Sequence, residues 1–232
     1  MNPKKISAIF QKQVKETLKN KEVLIQFLMF PILVVIMENS IKVEGMPEHY
    51  FVQLFATMYI GMAPLVSMTS IIAEEKEKNT LRMLMLSNVK PMEYLIGIGS
   101  YILLACMIGA CVFAATGEYK GRELAEFLCI MMVGILISML TGAAIGVWSK
   151  NAMSASSVSV PVMMVFSFLP MIASFNEHVK KVSDFVWSGQ INNLMNSLGA
   201  IDFDMQTVLV LLANGGVVFV LFQIAYKKCG LA

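Results

Sequence analysis

Six apolar stretches of this 232-residue sequence carry no Asp, Glu, Lys or Arg: Val23 to Met37, Phe51 to Ala73, Tyr94 to Thr116, Phe127 to Trp148, Ala152 to Phe175 and Met205 to Tyr226. A bilayer core about 30 Å thick takes about 20 helical residues, so these stretches read as membrane spans. The first has only 15 residues between Glu22 and Glu38; it reaches Ile41 if Glu38 sits at the outer lip. The spans expected are therefore 23–41, 51–73, 94–116, 127–148, 152–175 and 205–226, in one all-α transmembrane domain over 1–232. Composition agrees, since 57% of residues are apolar and 15% charged, against about 45 to 50% and 25% in soluble domains.

No segment between the spans is long enough to build a soluble core of its own, which excludes a separate catalytic domain. A net charge of +2 lacks the clustered basic face that nucleic acid requires, so no nucleic-acid partner is expected. Cys106, Cys111, Cys129 and Cys229 lie in or just beyond apolar stretches and read as small fillers rather than disulfides or metal ligands. The N-terminus carries six lysines and its apolar run ends in Glu38, Asn39 and Ser40, not in a small-residue cleavage site. It reads as a retained anchor.

With the N-terminus in the cytoplasm, inner segments hold 13 Lys and Arg and outer loops 5. That bias matches the positive-inside rule for six spans with both termini cytoplasmic, in the cell membrane. Phe185 to Ile201 is a further charge-free run, but Gln190, Asn192, Asn193 and Asn196 would each need a partner in hydrocarbon. Ile191, Leu194, Met195 and Leu198 recur at helical spacing. The expectation is a short amphipathic helix at or dipping into the outer interface, within an extracellular segment 177–204.

Two inner features carry information. Over residues 3–20, Ile6, Ile9, Phe10, Val14 and Leu18 fall on one half of a helical wheel, and Lys4, Lys5, Lys12, Lys15, Glu16 and Lys19 on the other. This predicts a basic amphipathic helix at the inner interface, with lysines toward anionic lipid. After the second span comes Glu74-Glu75-Lys76-Glu77-Lys78-Asn79-Thr80-Leu81-Arg82-Met83-Leu84-Met85-Leu86-Ser87-Asn88-Val89-Lys90-Pro91. Asn79 or Thr80 can cap a helix of about two turns that Ser87, Asn88 and Pro91 end. A short apolar helix over 79–88, between charged flanks, is expected either to press into a groove on a soluble partner or to lie on the membrane surface as a loop.

This string resembles the segment that follows the second span in ABC-2 type permeases, the membrane subunits of ATP-binding-cassette exporters. Glu74, Glu75, Glu77, Thr80, Leu81, Leu84 and Ser87 match in position. Asn79 stands where the family usually has Gly, Asn88 where it often has Pro, and Ile98 where a Lys is common. The resemblance implies that 79–88 is a coupling helix docking on a separate nucleotide-binding subunit, which holds ATP and Mg. This chain would bind no cofactor and perform no catalysis. Lys150, in the turn Ser149-Lys150-Asn151, would give a second contact to the ATPase, and a second permease copy or a similar permease would complete the pathway. Spans two and five border that pathway in the family, which points to Met58, Met62, Met68, Met164, Phe166 and Phe168.

Inside the membrane, Gly142 and Gly146 in span four, and Ala105 and Gly109 in span three, form small faces for close helix packing. Span five joins Ser154, Ser156, Ser157 and Ser159 to Pro161 and Pro170, which suits a cavity, a partner or inter-helix hydrogen bonds. Asn214-Gly215-Gly216 predicts a bend or an inter-helix hydrogen bond in span six. Twenty methionines suit adaptable apolar contact.

Four functions compete. A permease for an apolar or amphipathic substrate (peptide, lipid or drug) fits the charge-free spans, and no phosphate-binding loop is present; Gly97-Ile98-Gly99 lies in a span and lacks the rest of any fingerprint. An ion-coupled transporter or channel would keep ionisable groups at membrane depth, and here they stand in loops and at span ends. An intramembrane hydrolase built on Glu74-Glu75 would need His ligands, but His49 and His178 fall on the opposite side. A non-transporting sensor or immunity subunit docking the same ATPase has the same sequence signature as the permease.

Overall fold

The computed structural model describes residues 2–19, 21–40, 49–199 and 204–228. Asn20, Ile41, residues 200–203 and Cys229 lie outside the described residues. Among the described residues every regular element is an α-helix: α1 (Pro3–Lys19), α2 (Lys21–Ser40), α3 (Tyr50–Glu77), α4 (Thr80–Leu86), α5 (Pro91–Thr116), α6 (Arg122–Trp148), α7 (Ala152–Ala173), α8 (Glu177–Ser183), α9 (Trp187–Asn196) and α10 (Met205–Lys228). Five of these, α3, α5, α6, α7 and α10, are long and apolar enough to cross a bilayer. The first expected span corresponds to α2, which joins α1 at a bend of 69° and counts as a sixth crossing only when the two are taken together.

The most buried helix is α3, and small residues decide how closely its neighbours approach. Gly142 and Gly146 of α6 leave no room for a side chain beside Leu65, Met68, Thr69 and Ile72, and Thr69 Oγ1 donates to the Gly142 carbonyl at 3.0 Å. On another side Gly61 abuts Ser167 of α7, whose hydroxyl donates to the Met58 carbonyl at 3.2 Å. Gly109 of α5 receives the Tyr59 ring. The small faces in spans three and four are thus internal packing. Among the described residues helix α10 packs chiefly on α6 and α9, and most of α7 and α10 stays uncovered.

The segment before α10 is drawn into the bundle. A ten-residue helix is only about 15 Å long, too short to span, and α9 wedges among α3, α6, α7 and α10. Trp187, Ile191, Leu194 and Met195 are buried there. Its amides find partners, as a low-dielectric site requires. Thr207 donates to Gln190 Oε1 at 2.9 Å, Asn193 Nδ2 donates to Asp184 Oδ1 at 3.1 Å, and Gln53 Nε2 donates to the Met195 carbonyl at 3.1 Å. Asn214 donates to the Phe185 carbonyl, in the turn between α8 and α9, at 3.0 Å, so its bond goes to a connecting turn and not to another helix.

Two expectations shift. The buried stripe of α1 is Ile9, Gln13 and Thr17, while Leu18 is exposed, because α1 lies against α5 and offers polar as well as apolar groups to it. Ile9 sits on Gly97, Phe10 meets the Tyr101 ring edge-on, and Tyr101 Oη donates to Thr17 Oγ1 at 2.6 Å. Of the cysteines, Cys106 fills the core whereas Cys111 and Cys129 are exposed on helix flanks.

Candidate functional site

The site is the end of the bundle where α3 passes into α4. Helix α4 is framed by two asparagines in the left-handed region, Asn79 at φ 57° and Asn88 at φ 60°. Asparagine is the residue after glycine that adopts this conformation most readily. Asn79 makes no side-chain cap, contrary to expectation. Thr80 Oγ1 instead donates backwards to the Glu75 carbonyl at 3.1 Å, closing the last turn of α3. Proline cannot reach φ 60°, so Asn88→Pro is expected to unwind the exit of α4 at a cost of about 3 kcal/mol, whereas Asn88→Gly leaves it intact. Faster amide exchange over 80–86 in the proline variant alone would show this.

The charged run that leads into α4 is fastened to the protein itself. Glu75, 6% exposed, accepts from Lys12 Nζ at 2.5 Å and from Gln13 Nε2 at 2.9 Å. Lys76 Nζ donates to the Val147 and Ser149 carbonyls at 2.5 and 2.6 Å. Glu77 Oε2 accepts the Ala152 N–H at 2.8 Å, a carboxylate placed at the positive N-terminus of α7. Lys78 donates to Glu74 at 3.0 Å, and that bond raises the lysine pKa above its ordinary value.

Below α4, Glu93 is 2% exposed and accepts the N–H groups of Lys90 at 3.0 Å and Asn2 at 2.7 Å. These bonds, Lys90 first, hold its carboxyl below the usual carboxylate range. A lowered carboxyl pKa contributes stability above the unfolded value that is lost as pH falls through the folded one. Acidification below the ordinary carboxylate range is therefore expected to free the start of α1, read as faster N-terminal proteolysis, and Glu93→Gln should abolish that dependence.

Over residues 2–226 the chain matches the family described as ABC-2 family transporter protein. The chain belongs to that family. No curated protein matches it. As an ABC-2 permease it is a multi-pass membrane subunit of an ABC transporter, in a family whose members work with an ABC ATPase.

In this permease the residues expected to meet the ATPase divide by exposure. Glu75 and Leu81 are buried, Glu74, Thr80 and Leu84 are partly buried, and Glu77, Ser87 and Lys150 are exposed. The outward apolar surface of α4 comes from two residues the motif does not include, Met83 at 64% and Leu86 at 79% exposure. No periodicity pointed to them, because α4 is apolar on both faces and only the side that α3 covers tells them from Leu81. Of the residues proposed for the pathway, Met58 and Met68 are buried and Met62 and Phe166 are packed against the core. Phe166 lies against Trp187 with ring centroids 5.1 Å apart. Met164 and Phe168 stand exposed on α7. His49, which meets the Tyr119 ring edge-on with centroids 5.4 Å apart, is at the opposite end of α3 from Glu74. Among the described residues no three His, Cys, Asp or Glu side chains come together as metal ligands would.

Proposed function

We propose that this permease exports an apolar or amphipathic substrate, a peptide, lipid or drug, across the cell membrane, and that α4 is the coupling helix through which a separate ATPase drives it. ATP and Mg belong to that ATPase. The termini and α4 are cytoplasmic, and a second permease copy, or a similar permease, completes the pathway. The observation that carries the reading is α4 itself. It is a seven-residue helix held in place at both ends, with Met83 and Leu86 turned outward beside exposed Arg82 and Ser87. An apolar centre rimmed by polar groups is the anatomy of a protein interface.

The uncovered apolar face of α7, with Met164 and Phe168, suits the seam between two permeases, where a substrate without charge passes along side chains of the same character. Expression with the chromosomal neighbours, affinity capture in mild detergent and mass spectrometry test the proposal. Recovery of a nucleotide-binding subunit at about one per permease, with ATP hydrolysis in the captured complex, is the expected result. Capture of the folded permease with no ATPase would overturn it.

A further inference from the structure

Helix α1 grips the chain on both sides of α4. Ahead of α4, Lys12 and Gln13 bind Glu75; behind it, Lys5 Nζ donates to the Asn88 carbonyl at 2.5 Å and the Asn2 N–H to Glu93. Thr80, the first residue of α4, is tied to the Glu75 carbonyl. Glu75 thus stands at the junction of three helices, one of which carries the outward face of α4.

We propose that Glu75 is a positioning residue, the clasp through which displacement of α4 is passed to α1 and α5, rather than a contact to the ATPase. The inference rests on the reading of α4 as the docking helix. A buried carboxylate parted from its cation is left uncompensated, which is strongly unfavourable, so α1 follows the end of α3 or the pair must exchange partners. An exchange partner is at hand, because Glu16 lies 3.7 Å from the same Lys12 Nζ. A cavity of about 570 Å³, lined by Lys12, Glu16, Gln26, Ser67, Glu74 and Glu75 among others, gives that lysine room to swing. Lys12 is therefore poised between two carboxylates, one fixed to α3 and one carried by α1 itself.

The test uses the permease and its ATPase co-purified and reconstituted into phospholipid vesicles, with Glu75→Gln, which keeps shape and hydrogen bonding but removes the charge, and the exchange Lys12→Glu with Glu75→Lys. In the exchange Gln13 can turn its carbonyl oxygen toward the new lysine, so the site remains satisfiable. Expected for Glu75→Gln are ATPase capture within about twofold of wild type and permease-dependent ATP hydrolysis reduced about tenfold. The exchange should restore most of that hydrolysis, which shows that the opposite charges of the pair carry the effect, while unchanged capture by the folded single variant separates coupling from a merely structural defect. Loss of ATPase capture by folded Glu75→Gln would make Glu75 a docking contact and overturn the proposal. Unchanged hydrolysis in Glu75→Gln, or a folded exchange variant as impaired as the single one, would overturn it equally. If the wild-type permease captures no ATPase, the docking reading falls and the clasp with it; if capture stands and only hydrolysis fails to respond, the clasp alone falls.

Discussion

Gly142→Leu is expected to leave little folded permease in the membrane. A β-carbon at Gly142 would collide with the Leu65 carbonyl oxygen and come within 3.0 Å of Met68 Cβ. The backbone of α3 cannot yield there, since Thr69 donates to the Gly142 carbonyl from the same turn. One turn on, Gly146 presses against Ile72 and the Thr69 carbonyl in the same way. Forcing four more carbons into this contact separates α6 from the helix that organises the bundle. Overpacking of this kind costs about 3 kcal/mol, a large fraction of an ordinary folding free energy. Fluorescence-detected size exclusion after a temperature ramp reads the effect. Gly215→Ala is the control, because a β-carbon there meets nothing within 4 Å. An unchanged melting profile in Gly142→Leu would show that α3 and α6 do not pack through this face.

Leu86→Asp is expected to release the ATPase while leaving the permease folded. Leu86 is 79% exposed, so its replacement stays within about 0.5 kcal/mol of wild-type stability. At the centre of a docked interface the same change places a carboxylate among apolar groups and removes a central anchor. Losses at such positions exceed about 2 kcal/mol, or roughly thirtyfold in affinity. Met83→Asp should behave alike, being on the same outward side. Leu84→Asp would lose capture too, but Leu84 packs against the hydrophobic core, so that variant mixes a folding defect with the docking one. Full retention of the ATPase by both Leu86→Asp and Met83→Asp would remove α4 from the interface.

The division of exposure between Leu84 and Leu86 illustrates where reading the chain alone runs out. Long charge-free runs locate the five helices long and apolar enough to cross a bilayer, and α2 as the candidate for a sixth, because hydrocarbon tolerates only helices with satisfied backbones. The string from Glu74 to Ser87 carries the family resemblance that the match over residues 2–226 establishes. One departure from the family pattern has a local cause: left-handed backbone at residue 79 admits asparagine where the family usually has glycine.

What required the tertiary structure was the direction in which each side chain of that string faces. A run of alternating Glu and Lys reads as a solvated rim from sequence, since a charge is stable either in water or beside a partner, and partners distant in the chain leave no periodic trace. Lys12 and Glu75 are 63 residues apart, and Lys76 and Val147 are 71 apart. Gln13 and Thr17 lie on the apolar half of the α1 wheel, between Ile9 and Phe10, but only the fold supplies the partners, Glu75 and Tyr101, that make two polar groups at home on that buried stripe. Sequence alone determined that the chain lies in the membrane and which segment breaks the pattern, because hydropathy and backbone conformation are local properties. Only the packing of α1, α3, α5 and α6 decided which charges fasten the permease together and which apolar side chains remain free, because burial is a property of pairs brought together by the fold.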